Sequence, residues 1–193
     1  MQHITALVFN NFETLDLFGP VEMLGSLKDN YSFQFCSIDG GLINSVHRVP
    51  LATIAVADLP NPTDILLIVG GFGTRQLIED SQFLDTLTNL ANDAEWVLSI
   101  CTGSALLAKA GLLDGKQATS NKIAWEWATS QSDKVNWIKK ARWVVDGKYY
   151  TSAGVSAGMD MALGFISDRQ GNDAAVQVAK QAEYRWASNR DCD

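Results

Sequence analysis

The sequence is poor in the residues from which most metal and hydrolytic centres are built. Two histidines, His3 and His47, and three cysteines, Cys36, Cys101 and Cys192, occur in 193 residues. No two cysteines form a CxxC pair, so zinc and most transition metals lack a ligand cluster, and no metal or other cofactor is expected. The odd cysteine count and wide spacing argue against the disulfide framework of a small secreted protein. No apolar run reaches the roughly 18 residues of a membrane-spanning helix. The N-terminus lacks the basic, then apolar, then small-residue order of a signal peptide, and a cytoplasmic chain is the default expectation. Positive charge is also scarce: 15 Lys and Arg against 22 Asp and Glu leave a net charge of -7. Such a surface repels phosphate backbones, so nucleic acid is not expected as a direct partner. The nearest basic cluster, Lys139, Lys140 and Arg142, is small and reads as a solvated loop.

What the chain does have is apolar material in alternating lengths. With 47% hydrophobic residues, the length suits one domain, residues 1–193, with a substantial core. His3–Phe9 reads as a strand, and Leu15–Leu27 as a helix with Leu17, Val21, Leu24 and Leu27 at helical spacing. Tyr31–Ser37 alternates as a strand, Gly40 and Gly41 read as a turn, and Leu42–His47 with Leu51–Val56 as a hairpin bent at Pro50. Asp64–Val69 is a continuous apolar strand of the kind buried in a parallel sheet. After the glycine-rich Gly70–Gly73 come a helix over Ser81–Asn92 with Ser81 as N-cap, a buried strand Trp96–Ile100, and a helix Thr102–Ala110 stopped by Gly111. Lys122–Thr129 reads as a short helix. Trp143–Val145 and Tyr149–Ser152 read as a hairpin around Asp146-Gly147, and Ser156–Ser167 and Asp173–Arg185 as closing helices. This alternation predicts an α/β fold, a three-layer sandwich around a mainly parallel sheet. Ligands in such folds sit beyond the carboxyl ends of the strands, where Asp16, Gly70–Gly73 and Cys101 all fall.

Cys101 lies between the strand WVLSI and a helix rich in Ala and Leu, in Ser99-Ile100-Cys101-Thr102-Gly103-Ser104. That pattern resembles a nucleophile elbow, which pushes a reactive side chain out on a tight turn. A helix N-terminus beside the sulfur favours thiolate over thiol. The alternative is a buried cysteine acting as a small hydrophobe, which is the reading for Cys36; Cys192 reads as an exposed bystander. Charge developing on a substrate would need N–H donors, and the backbone of Thr102 and of the Gly70–Gly71 turn are the candidates. VGGFG fails the dinucleotide pattern because Gln76 stands where its last glycine should be, and it lacks the ending of a P-loop. Asp16 is a lone acid among Leu15, Leu17 and Phe18. It is either a helix N-terminal acid or a desolvated carboxyl facing Cys101 that holds one proton shared between the two. Phe18, Phe72 and Trp125 are candidate apolar walls.

Taken together, LDLFGPVEML, IVGGFG, SICTGSALLAKAGLLDGKQAT and SAGVSAGMDMAL resemble the ThiJ/PfpI superfamily over nearly the whole chain. The superfamily belongs to the class I glutamine amidotransferase-like fold, and the resemblance implies a flavodoxin-like α/β/α sandwich. Among its branches the isonitrile hydratases look most similar, and sensor domains of some AraC-type regulators share the same blocks. The resemblance implies Cys101 as nucleophile, Asp16 as its acidic partner, and Gly71 and Thr102 as oxyanion donors. Much of the superfamily uses glutamate as that partner; the hydratase branch is similar to this chain in using aspartate. Relatives are usually homodimers. One departure stands out: in Ala118-Thr119-Ser120-Asn121, Asn121 occupies the place of a frequent family histidine. A Cys–His–acid triad is therefore not expected, which weakens glutaminase and protease readings. Asn121 either orients a polar substrate group or caps the helix beginning at Lys122.

The implied activity is hydration of an isonitrile to an N-substituted formamide. The alternatives are glyoxalase- or deglycase-like chemistry on small aldehydes through a hemithioacetal, and a non-catalytic ligand or redox sensor.

Overall fold

In the computed structural model, residues 1–192 are described. The chain runs through β1 (Gln2–Leu7), α1 (Thr14–Gly25), β2 (Tyr31–Ser37), β3 (Asp39–Asn44), β4 (Pro50–Ala55), β5 (Ile65–Ile68), α2 (Thr74–Leu77), α3 (Ser81–Asp93) and β6 (Trp96–Ser99). It continues through α4 (Gly103–Lys109), β7 (Gln117–Ala118), α5 (Trp125–Thr129), β8 (Asn136–Trp137), β9 (Trp143–Asp146), β10 (Tyr149–Ser152), α6 (Ala157–Gln170) and α7 (Asn172–Gln181). Eight strands form one sheet in the order β3-β4-β2-β1-β5-β6-β10-β9. The inner six run parallel, and only β3 and β9 turn back against their neighbours. The fold is thus the α/β sandwich with a mainly parallel sheet that the alternation predicts. None of the described helices is long and apolar enough to cross a membrane.

Helices cover both faces. α1, α6 and α7 pack together, while α2, α3, α4 and α5 form a second group. Every residue of Ile65–Ile68 is fully buried, which explains why that strand shows a continuous apolar run instead of alternation. Small residues set the spacing. A Cβ on Gly19 would stand 2.8 Å from Met159 Cγ, and one on Gly158 3.0 Å from Ile100, so α1 and α6 approach closely over the end of β6.

The two glycines read as a turn, Gly40 and Gly41, lie inside β3, where both adopt positive φ. Pro50 opens β4, paired with Asn44, and the bend lies earlier, at 45–49. The N-cap of α3 is Asp80, whose carboxylate accepts the Phe83 N–H at 3.0 Å, and not Ser81. α5 starts at Trp125 instead of Lys122, because the Asn121 side chain accepts the Ala124 N–H and holds the intervening residues in a turn. α7 stops at Gln181, with Glu183 in the left-handed region beyond it. α2 and the β7–β8 pair have no counterpart in the sequence reading; they are two to four residues long, too short to show a period.

Arg142 corrects another expectation. It is not part of a solvated loop: its Nε donates to the fully buried Asp160 at 2.7 Å. The same carboxylate accepts from Tyr184 OH at 3.1 Å and from the Ala187 N–H at 2.8 Å. One buried anion therefore ties the C-terminal tail and the loop before β9 to α6. Removing the cation would leave a desolvated charge uncompensated. Arg142→Met is expected to lower stability by about 3–5 kcal/mol in urea unfolding; a loss below about 1 kcal/mol would contradict this role.

Candidate active site

Three loops leave the same end of the sheet beside one another. The loop after β1 leads to Asp16 in the first turn of α1; the loop after β5 holds Gly70 and Gly71; the loop after β6 holds Cys101. Cys101 has φ +56, a left-handed conformation for a residue with a side chain. Such strain costs on the order of 1–3 kcal/mol and persists only where surrounding structure enforces it. Here the enforcement is visible. The Ile100 N–H donates to Ile68 O at 3.0 Å, and the Gly103 N–H to Ile100 O at 2.9 Å. α4 starts directly against the sheet, and a Cβ on Gly103 would stand 2.8 Å from Ile68 O. The elbow expected from the sequence is present, with Cys101 only 6% exposed.

Asp16 is fully buried beside it. Its Oδ2 accepts the Gly70 N–H at 2.9 Å, while Oδ1 is sealed from solvent with no N–H or O–H partner. Gly70 must lack a side chain: a Cβ there would stand 2.5 Å from Thr102 N and 2.9 Å from Asp16 Oδ2. Pro20, one turn beyond Asp16 in α1, has no N–H to give the Asp16 carbonyl, so the helix is loosened where the acid sits. Desolvation pushes the Asp16 carboxyl from the usual 3.8 up to about 7. The Gly70 N–H opposes that rise, the charge of Glu13 adds to it, and the Cys101 thiol opposes it slightly.

The thiol is also raised, first by burial and then by the Asp16 charge. The Thr102 N–H and the Asn121 side chain pull it down by less. A helix N-terminus alone therefore does not make Cys101 a thiolate; desolvation is the larger effect. The pair behaves as coupled acids that lose one proton near neutrality and the second far above it.

The remaining expected residues converge on the same place. Asn121 Oδ1 accepts the Ala124 N–H at 2.8 Å, so its Nδ2 end is left for the cavity; the side chain closes the turn ahead of α5 and does not cap that helix, whose N-cap is Ala124. Gly71 has φ +124, and a Cβ there would stand 2.4 Å from Glu13 N, so glycine is required. Its N–H, however, is occupied: it donates to Thr102 Oγ1 at 3.0 Å. The donors not anticipated as structural are thus both in one turn, with Gly70 holding Asp16 and Gly71 holding Thr102.

Cys101 opens into a cavity of about 250 Å³, also lined by Glu13, Phe72, Arg75, Ile123 and Val155. A neighbouring cavity of about 350 Å³ shares Asn121, Ile123 and Val155 with it. Phe72, 74% exposed, is the one expected aromatic wall that lines it. Trp125 instead packs edge-on against Trp137, and Phe18 packs on the core. Neither histidine lines the cavity. His3 bonds Ser32 at the opposite end of β1, and His47 stands behind Glu13, Nδ1 to carboxylate 3.8 Å. Glu13, Arg75 and Ile123 escaped the sequence reading. Arg75 lies four residues beyond Gly71, on the four-residue α2, where no periodic signal marks it.

The sequence model of the DJ-1/PfpI family matches residues 2–168. The isonitrile hydratase of Pseudomonas putida is 35% identical over 178 residues, which cover 92% of this chain and 76% of that protein. The HTH-type transcriptional regulator CdhR of Pseudomonas aeruginosa is 30% identical over 155 residues, 79% of this chain but 45% of the regulator. The chain thus spans less than half of that regulator's length. A crystal structure of a ThiJ/PfpI family protein from Pseudomonas syringae superposes with a TM-score of 0.82 at 28% identity, covering 95% of this chain and 75% of the other.

The raised carboxyl makes stability depend on pH in a known sense. Below about pH 4 Asp16 is neutral folded or unfolded and burial of charge costs nothing. From about 4 to 7 the unfolded chain ionises and the folded one does not, so stability falls as pH rises and levels off above about 7. A carboxyl moved from 3.8 to about 7 corresponds to about 4 kcal/mol at full ionisation. Asp16→Asn is expected to unfold at higher urea than the parent at about pH 8, by roughly 2–4 kcal/mol, with the gap closing below pH 5. A gap that does not change with pH would contradict the assignment.

Proposed function

The chain belongs to the DJ-1/PfpI family, and on that premise we propose that it is a cysteine-dependent enzyme that hydrates an isonitrile to an N-substituted formamide. The observation that carries this reading is the fully buried Asp16 beside Cys101, whose own cavity is lined by no imidazole among the described residues. Hydrolysis of an amide needs a group that protonates a departing amine, the usual work of histidine. Addition to an isonitrile expels no amine. It needs a nucleophile and one proton delivered to the attacked carbon, which a thiol and a carboxyl with pKa about 7 can supply. The likeness to the hydratase of Pseudomonas putida supports the same reading.

In this scheme the Asp16 carboxylate takes the thiol proton as Sγ bonds the terminal isonitrile carbon, then returns it to that carbon. The product is a thioimidate, Cys–S–CH=N–R. Water adds to its carbon as one of its protons passes to the nitrogen, and the hydroxyl left on carbon gives the other to Asp16. Breaking the S–C bond then releases R–NH–CHO, and the sulfur recovers its proton from Asp16. The Thr102 N–H and Asn121 Nδ2 stabilise negative charge on sulfur as it leaves. The Gly71 N–H becomes an oxyanion donor only if the Thr102 hydroxyl turns away from it. The strained elbow fixes Sγ so that these donors need no reorganisation.

A second reading, ligand sensing without turnover, is favoured by the match to part of a transcriptional regulator. Saturable binding of small electrophiles with no product would support it.

The test is formamide release from a panel of alkyl and aryl isonitriles. Cys101→Ala is expected to abolish it, and Asp16→Asn to slow it by about 10²–10⁴. Because Asp16 must be ionised to take the thiol proton, kcat/KM should rise with pH through about 7 and lose that rise in Asp16→Asn. Full turnover by Cys101→Ala would end the proposal.

A further inference from the structure

The Cys101 cavity contains a cation that neither the elbow nor the Asp16 pair requires. Arg75 lines it from α2. Its guanidinium is stacked 4.1 Å from the Trp127 ring centre and lies 5.4 Å from that of Phe72. One end is also pinned: Nη1 donates to Gly71 O and to Thr74 Oγ1, each at 3.2 Å. Among the described residues Nε and Nη2 make no hydrogen bond and the group forms no ion pair. Glu13 lines the same cavity, but its carboxylate lies toward His47, at 3.8 Å. A rigid, partly desolvated guanidinium with three N–H groups unused is poorly placed for stability alone. It is well placed for a planar anion, since stacking and the pinned end fix the fork before a ligand arrives.

We propose that Arg75 forms an anion subsite of the Cys101 cavity and receives the carboxylate of a small electrophile whose reactive carbon reaches Sγ. The proposal rests on Cys101 being the attacking group and narrows the substrate class of the hydration reading to carboxylate-bearing isonitriles. The cavity, about 250 Å³, lies below the range of about 300–1,000 Å³ for drug-sized ligands. That size suits a molecule with the carboxylate only a few bonds from the reacting carbon. Phe72 and Ile123, 74% and 99% exposed at its mouth, leave room for an apolar remainder.

The test uses two alkylating reagents of nearly one shape, iodoacetate and iodoacetamide. In both, an Sγ–C bond forms as the C–I bond breaks, iodide leaves, and the thiol proton passes to solvent. Rates at Cys101 are read by peptide mass spectrometry on the parent, Arg75→Gln and Arg75→Lys. The ratio of iodoacetate to iodoacetamide rates should fall about 10- to 100-fold in Arg75→Gln, the worth of a charge-assisted hydrogen bond, and stay within about threefold in Arg75→Lys. Equal slowing of both reagents, leaving the ratio unchanged, would overturn the subsite and assign Arg75 to the sulfur alone. On the unaltered protein, acetate should protect Cys101 from iodoacetamide saturably while acetamide does not; absence of that protection would also overturn it. Alkylation needs no turnover. A protein that hydrates no isonitrile but shows the ratio change would therefore lose the hydration reading and keep the subsite.

Discussion

Two acids, a carboxyl and a thiol, share a space with too little water for both to be charged. Asp16 is fully buried and Cys101 nearly so; burial raises the proton affinity of both, and the Asp16 charge raises that of the thiol further. The rest of the site follows from keeping them together. Gly70 has no side chain because Thr102 and Asp16 occupy the volume one would fill. Gly103 has none because α4 must begin against β5. Cys101 adopts a left-handed conformation at the point where the chain turns from β6 into α4. A proton moving between neighbouring groups of this kind can be taken from sulfur and given to carbon without water acting as carrier.

This arrangement carries a cost that the remainder of the fold offsets. Burying a carboxyl that ionises near neutrality opposes folding by about 4 kcal/mol at full ionisation, and the elbow adds its strain. Against them stand the fully apolar β5, the close α1–α6 contact through Gly19 and Gly158, and the Asp160 anchor that fastens the C-terminal tail. Both buried aspartates sit in the first turn of a helix, yet their environments differ. Asp160 meets a guanidinium, a phenol and a backbone N–H; Asp16 meets one N–H and a thiol. The first arrangement stabilises a charge in place, and the second leaves a proton able to move.

Much of this was legible in the residues. Continuous apolar strands, alternating helices and the small residues around Cys101 were enough for the architecture, the elbow and the convergence of Asp16, Gly71, Thr102 and Asn121. What escaped was set by tertiary contact. Arg75 carries no periodic signal because α2 is a single turn, and its stacking partner Trp127 lies about 50 residues further along. Gly40 and Gly41 look like a turn because paired glycines usually are, whereas here they lie in an edge strand that Gly40 allows to lie close on β4. Arg142 looked solvated because its partner Asp160 is distant in sequence. The preference of the sulfur for its proton is not visible in the local pattern, which shows the helix N-terminus but not the depth of burial.

The central claim is that the Asp16–Cys101 pair holds one shared proton at mildly alkaline pH. Infrared difference spectra test it most directly, with the carboxylic-acid band assigned through Asp16→Asn and the S–H band through Cys101→Ser. At about pH 9 the two bands together should amount to one proton. Loss of both bands would contradict it, because two charges would then coexist in a space too dry to hold them.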